Sequence, residues 1–206
     1  MKSKLLSPKI NLSTLQIACI HGFNSIANNN TACALSEHFG AQIVKPLTYD
    51  YIDPDKAEIQ LNKQVKKLIK NKQGLVLVGG SLGGFWANYF AEKYSLPCVL
   101  VNPSLTPFTS LSKYLGVNKN FYTGVVKTLT RENVDAYSKY IVDDNPNIHK
   151  IIVIGALDTT VDYSHTISVF ENKHEIILDP IEGHNFKNKA SLISAVTHLI
   201  KISQQL

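Results

Sequence analysis

Six short runs of apolar, mostly branched residues punctuate the chain at 15–20, 41–47, 75–79, 97–101, 150–154 and 174–178. Each has the length and make-up of a buried strand. Between them, helix-like segments occupy about 29–39, 54–71, 82–95, 161–171 and 187–202, the second opened by Asp53-Pro54 in the manner of a helix start. Regular alternation of strand and helix predicts an α/β protein with a mostly parallel sheet of about six strands and helices on both faces. Neither an internal repeat nor a low-complexity tract is visible.

The rhythm breaks once, between Val101 and Lys150, where there is far more chain than one crossover helix requires. This stretch is rich in Leu, Phe, Tyr and Val from Leu105 to Val126 and is broken by Pro103, Pro107, Gly116 and Gly124. It reads as an insertion of short helices over about 104–148, after the fourth strand. Two roles are open to it, a cap over a substrate site or a packing excursion that closes the core.

At 206 residues the chain suits one sizeable core, so a single domain over 1–206 is expected. With 44 % hydrophobic and 18 % charged residues it belongs with folded globular proteins rather than disordered or fibrous ones. No run reaches the length of a membrane-spanning helix, so no membrane insertion is expected. Lys2 and Lys4 are followed by Pro8, Asn11, Ser13 and Thr14 instead of an apolar run, which argues against a secretory signal and for a cytoplasmic location.

Cys19, Cys33 and Cys98 show no Cys-x-x-Cys spacing, and the first and last sit in apolar strand-like runs, as small buried hydrophobes do. The net charge of +5 owes much to Lys63, Lys66, Lys67, Lys70 and Lys72. These fall mostly opposite Leu61, Val65, Leu68 and Ile69 on one helix, which a solvated face explains as well as an acidic partner does. No aromatic residues are interleaved with them, so nucleic acid is not an expected partner. Nothing here indicates an oligomeric state.

The chemistry-bearing segment is Leu75-Val76-Leu77-Val78-Gly79-Gly80-Ser81-Leu82-Gly83-Gly84, an apolar strand running through Gly-x-Ser-x-Gly into a helix. A serine on so tight a turn needs small neighbours, and the arrangement is that of the nucleophile elbow of α/β-hydrolases. The alternative, a glycine-rich phosphate loop, would call for Lys-Ser or Lys-Thr after the glycines, or for Gly-x-Gly-x-x-Gly spacing. Ser81 is the candidate nucleophile.

A serine hydroxyl needs an imidazole to take its proton and a carboxylate to hold that imidazole, in this fold in the chain order serine, acid, histidine. Asp158 follows the fifth strand run, and His184 follows the last, beside Gly183. The other histidines lie within helices, at strand starts or, for His21, ahead of the serine. Asp162 is a second candidate acid, although it stands where a helix-capping carboxylate is expected. The first strand ends in His21-Gly22-Phe23, which places the backbone amides of Phe23 and Leu82 as the candidate oxyanion hole. His21 itself reads as a shaper of that turn. With strand order 2-1-3-4-5-6, the turn and the elbow would flank the switch point of the sheet.

With HGFNS at 21–25, GGSLGGFWA at 79–87, NPSLTPF at 102–108, GALDTTVDY at 155–163 and GHNFKN at 183–188, nearly the whole chain resembles the small bacterial YqiA/YcfP-like esterases of the α/β-hydrolase superfamily. The resemblance implies a minimal α/β-hydrolase fold lacking the first two strands of the larger one. It implies activity on short acyl esters, and on acyl-CoA thioesters, with Ser81, Asp158 and His184 as nucleophile, acid and base. Two positions depart from the common pattern. Gly80 stands where members commonly carry a second serine, and Gly155-Ala156-Leu157-Asp158 stands where they commonly have Gly-Asp. The expected substrate is a small acyl ester or thioester, with no metal or organic cofactor. The same scaffold also hosts non-catalytic binding proteins, acyltransferases and peptidases.

Overall fold

A computed structural model describes residues 11–70 and 74–204. Lys2, Lys4, Pro8 and Lys72, used above, lie outside the described residues, as does position 71 at the end of the expected second helix. Strands β1 (Gln16–Ile20), β2 (Val44–Leu47), β3 (Leu75–Gly80) and β4 (Cys98–Val101) alternate with helices α1 (Asn30–Phe39), α2 (Pro54–Lys70) and α3 (Leu82–Tyr94). An excursion follows with α4 (Pro107–Ser110), β5 (Gly116–Lys119), β6 (Val126–Leu129) and α5 (Arg131–Ala136). The chain then resumes its rhythm with β7 (Lys150–Gly155), α6 (Tyr163–Phe170), β8 (Glu175–Asp179) and α7 (Lys189–Gln204).

The main sheet is parallel throughout, in the order β2-β1-β3-β4-β7-β8. The direction of winding changes between β1 and β3, so a crevice opens at their carboxyl ends. The register places Ile20 opposite Gly79, which sets the His21-Gly22 turn beside the turn at Ser81. Every loop that follows a strand of this sheet emerges at the same edge.

Strand side chains alternate between two cores, as the two-residue repeat of a strand requires. Ile17, Cys19, Val76, Val78, Val99, Val101, Ile151 and Val153 pack with Leu35 of α1 and with Leu192, Val196 and Leu199 of α7. Their neighbours Ala18, Ile20, Leu75, Leu77, Cys98, Leu100, Ile152 and Ile154 pack with Leu61 and Val65 of α2, Phe85, Trp86 and Phe90 of α3, and Phe170 of α6. Both faces are apolar because both are covered. Burial pushes the Cys19 and Cys98 thiols up to about 12, as inert core groups, whereas Cys33 is exposed on α1. Lys63, Lys66, Lys67 and Lys70 are exposed on α2. Among the described residues no helix is long and apolar enough to cross a membrane.

The excursion differs from its expected form. Between two short helices it carries an antiparallel hairpin, with Gly116 opposite Leu129 and Lys119 opposite Val126, where only helices were expected. The turn is organised by buried Asn120, whose Oδ1 accepts the Tyr122 and Thr123 amides and whose Nδ2 donates to the Ser25 carbonyl at 2.9 Å. Leu111, Leu129, Val134, Tyr137 and Ile148 join the core on the α2–α3 side, while Phe121 and Tyr122 reach the cavity described below. The segment therefore completes the core and also roofs the crevice.

At the opposite edge of the sheet, the Lys150 ammonium is fully enclosed and donates to Asn88 Oδ1 (2.8 Å), to Asp144 Oδ1 (2.7 Å) and to Glu92. Asp144 also meets His174 Nε2 at 2.9 Å. Burial alone would raise the Asp144 carboxyl, but its hydrogen bonds from His174 and Lys150 and their charge bring it down to about 2. The cluster pins the end of the excursion to α3 and to the start of β7.

Candidate active site

Ser81 joins β3 to α3 with φ 54° and ψ −123°, a left-handed conformation that costs a non-glycine residue of order 1–3 kcal/mol. Several bonds hold it there. Its amide donates to the Val101 carbonyl (3.0 Å), and its carbonyl accepts from Gly84, Phe85 and Ser104. The flanking glycines serve close approach rather than unusual torsion angles. A Cβ on Gly79 would lie 2.1 Å from the Gly83 carbonyl oxygen, and one on Gly83 would lie 2.0 Å from that of Ile20. Only hydrogen at these positions lets α3 start against both β3 and the end of β1. Gly80 differs, since a Cβ there would meet nothing nearer than 3.7 Å.

His184 lies in the loop after β8, with Nε2 3.0 Å from Ser81 Oγ and Nδ1 2.8 Å from Asp158 Oδ2. Asp158 Oδ1 accepts the amides of Thr160 (2.7 Å) and Val161 (3.1 Å). Burial on its own would raise the Asp158 carboxyl. The His184 hydrogen bond and charge, with the two amides, outweigh that and hold it below the ordinary carboxylate range. An ionised carboxylate can only accept, so the imidazole proton belongs on Nδ1, and the Nε2 lone pair faces the serine hydroxyl. Asp162, the other candidate acid, instead caps α6, accepting from the Ser164 amide at 2.9 Å.

His21 is buried against Tyr49, ring centroids 4.4 Å apart, and burial depresses its pKa to about 4. Neutral Nδ1–H donates to the Gly22 carbonyl at 2.9 Å, and the His21 carbonyl accepts from the Tyr49 hydroxyl at 2.6 Å. It shapes the turn, as read from its position. A Cβ on Gly22 would lie 3.4 Å from Ser81 Cβ, so the turn rests against the serine. Phe23 and Leu82 both line the space beside Ser81 and His184. The Leu82 amide stands at the first position of α3, where no intrahelical acceptor exists.

Two residues support the site in roles that the sequence did not reveal. Asn102, in a left-handed turn after β4 (φ 42°), donates from Nδ2 to the carbonyls of Gly183 (2.9 Å) and His184 (3.2 Å), while its Oδ1 accepts the Gly155 amide (2.8 Å). It therefore ties the histidine loop to the end of the strand that leads to Asp158. Buried Glu182 accepts the amides of Lys187 (2.7 Å) and Asn188 (2.8 Å), curling the same loop into α7. The Asn-Pro dipeptide marked a turn, but the partners of Asn102 are 53 to 82 positions away.

Ser81 and His184 open into a cavity of about 870 Å³. Phe23, Leu111, Tyr114, Phe121 and Tyr122 line it, as do Asn29, Asn30 and Thr31 around the start of α1 and Lys187 and Lys189 around the start of α7. Among the described residues no group of three or more His, Cys, Asp or Glu side chains is placed to hold a metal ion. Chemically, the arrangement pairs a hydroxyl with a base oriented by a buried anion, beside backbone amides and a partly open cavity.

Residues 16–201 match the family described as "Uncharacterised protein family (UPF0227)". A UPF0227 protein of Pectobacterium atrosepticum is 25 % identical over 177 residues, 84 % of this chain and 91 % of that protein. One from Yersinia enterocolitica is 27 % identical over 176 residues, with the same coverage. Among solved structures, Est1E from Butyrivibrio proteoclasticus superposes with a TM-score of 0.74 at 16 % identity, covering 95 % of this chain and 91 % of that one. A monoacylglycerol lipase of Paleococcus ferrophilus gives 0.66 at 14 %, covering 95 % and 96 %. These likenesses carry the fold, and the sequence match carries the family: the chain belongs to the UPF0227 family, the YqiA-like group its motifs resemble, and has the α/β-hydrolase fold.

Proposed function

We propose that the protein is a serine hydrolase that cleaves small acyl esters, and acyl thioesters by the same route, through a covalent acyl-enzyme. The observation that carries this reading is the hydrogen-bonded line from Ser81 Oγ through His184 to buried Asp158, at 3.0 and 2.8 Å, with the serine at the elbow. In the first half-reaction His184 Nε2 takes the Ser81 proton as Oγ attacks the acyl carbonyl. Asp158 keeps the proton on Nδ1 and stabilises the imidazolium. The amides of Phe23 and Leu82 receive the negative charge that develops on the carbonyl oxygen. Protonation by His184 releases the alcohol or thiol, and water, activated by the same imidazole, frees the acid.

The aromatic residues that line the cavity support an acyl substrate. A fluorophosphonate probe should label Ser81, and Ser81→Ala should remove both labelling and turnover of p-nitrophenyl butyrate while the protein stays folded. Triads act as a unit, so the loss should be on the order of 10⁴-fold or more. Equal turnover in the alanine variant would sink this assignment, and an unlabelled but folded wild type would favour a binding protein on the hydrolase scaffold.

A further inference from the structure

The cavity beside Ser81 is electrically one-sided. Lys187 and Lys189 line it, and no aspartate or glutamate does. Asp158 lies behind His184, committed to its ring and to two amides. The other carboxylate close to the lysines, Glu182, is buried and engaged by the amides of Lys187 and Asn188. Neither lysine forms an ion pair among the described residues.

Lys189 stands at the first position of α7, half-buried, with one amine proton donated to the Phe186 carbonyl at 2.6 Å. An ammonium has three donors, so two remain. Burial lowers its pKa despite the nearby Glu182 charge, the mark of a cation partly stripped of water and not repaid within the protein. Asn30 and Thr31, from the start of α1, lie on the same lining, and the helix-end field there favours negative charge as well. Phe23, Tyr114, Phe121 and Tyr122 supply the uncharged side.

We propose that the site selects substrates that carry an anionic oxygen group in addition to the scissile ester, received by half-buried Lys189, while the aromatic residues cover the uncharged part. This rests on the hydrolase reading above and names its substrate class. Lysines merely solvated at a rim would give no such selection, because an exposed cation gains little from a counter-ion in water.

The test compares three esters on the wild type, Lys189→Met and Lys189→Arg. They are neutral p-nitrophenyl butyrate, the p-nitrophenyl monoester of glutaric acid with its anion on the acyl side, and 3-carboxy-4-nitrophenyl butyrate, which keeps a nitrophenolate leaving group and places the anion on it. After subtraction of spontaneous hydrolysis, kcat/KM for one anionic ester should exceed that for the neutral one by about tenfold or more, the scale of one charge-assisted hydrogen bond. Which ester is favoured tells which side of the scissile bond faces α7. The preference should shrink in about 0.5 M salt, fall towards one in Lys189→Met, and survive in Lys189→Arg. A wild-type ratio near one for both anionic esters, or a ratio unchanged in Lys189→Met, overturns the proposal.

If none of the three esters turns over, the hydrolase reading fails by itself. The charge selection is then judged by calorimetry on Ser81→Ala protein with monomethyl glutarate against methyl butyrate. Tighter, salt-sensitive binding of the glutarate that weakens in the Ser81→Ala/Lys189→Met protein supports the selection, and equal affinities reject it.

Discussion

The side-chain amide of Asn102 holds the main-chain carbonyl of His184 at 3.2 Å. Through the same amide, the Gly183 carbonyl and the Gly155 amide are held as well, so one residue at the end of β4 sets the spacing between the loops that carry His184 and Asp158. Removing it should cost activity through geometry. Asn102→Ala is expected to lower kcat roughly 100-fold, the scale of a 1 Å misplacement of a reacting group. Asn102→Gly tolerates the left-handed backbone but lacks the bonds, so it should lose as much activity with less loss of urea stability. Full activity in both variants would remove Asn102 from the positioning of the histidine.

Asp158 and Asp162 can be told apart by what each removes. Asp158→Asn leaves an amide that can donate to His184 Nδ1, favouring the wrong tautomer, and should cut kcat on the order of 10⁴-fold. Asp162→Ala removes a helix cap and should cost about 1 kcal/mol of stability with turnover retained. A larger kinetic loss in the second variant would reverse the proposed roles.

Gly83 and Gly80 should respond in opposite senses. A methyl at Gly83 would overlap the Ile20 and His21 carbonyl oxygens, at 2.0 and 2.6 Å. Gly83→Ala should therefore destabilise by about 1–3 kcal/mol and shift the elbow. Gly80→Ala meets only the Val101 carbonyl oxygen at 3.7 Å, an ordinary contact, and restricts the unfolded chain, so a gain of about 0.5 kcal/mol in chemical denaturation is expected.

Strong acid should weaken the Lys150 cluster. Asp144 has a folded-state pKa of about 2, below the ordinary aspartate value of about 3.9 in an unfolded chain. Its contribution is thus fully present above about pH 4 and is lost as pH falls towards about 2. Denaturation midpoints measured across that window should decline less steeply in Asp144→Asn, which should also be less stable at neutral pH because Lys150 and His174 lose their shared partner. An unchanged slope would show that other carboxylates govern acid unfolding.

The six strands of the main sheet, their flanking helices and the order of Ser81, Asp158 and His184 are legible in the chain, with ends displaced by at most three residues. These features are local or follow from a repeat: apolar runs make strands, a Gly-x-Ser-x-Gly turn needs its own glycines, and parallel strands bring their following loops to one edge. The hairpin β5–β6 escaped for one local and one distant reason. Its outward residues include Val117, 76 % exposed, and Val126, 59 % exposed, so it shows no apolar-in, polar-out alternation, and its turn depends on Asn120 reaching Ser25 far upstream.

Composition and motif order determine the α/β class, the elbow and the set of residues that can form a triad. Which carboxylate meets His184, which side chain ties the two loops, and which lysines share a cavity with Ser81 were decided only in three dimensions. Asp158 and Asp162 are four positions apart and chemically alike, yet one turn of backbone directs the first to the imidazole and the second to the start of α6. Hydrogen bonds of a few ångströms between positions eighty or a hundred residues apart leave no periodicity to read; they exist because the parallel sheet delivers those positions to the same edge.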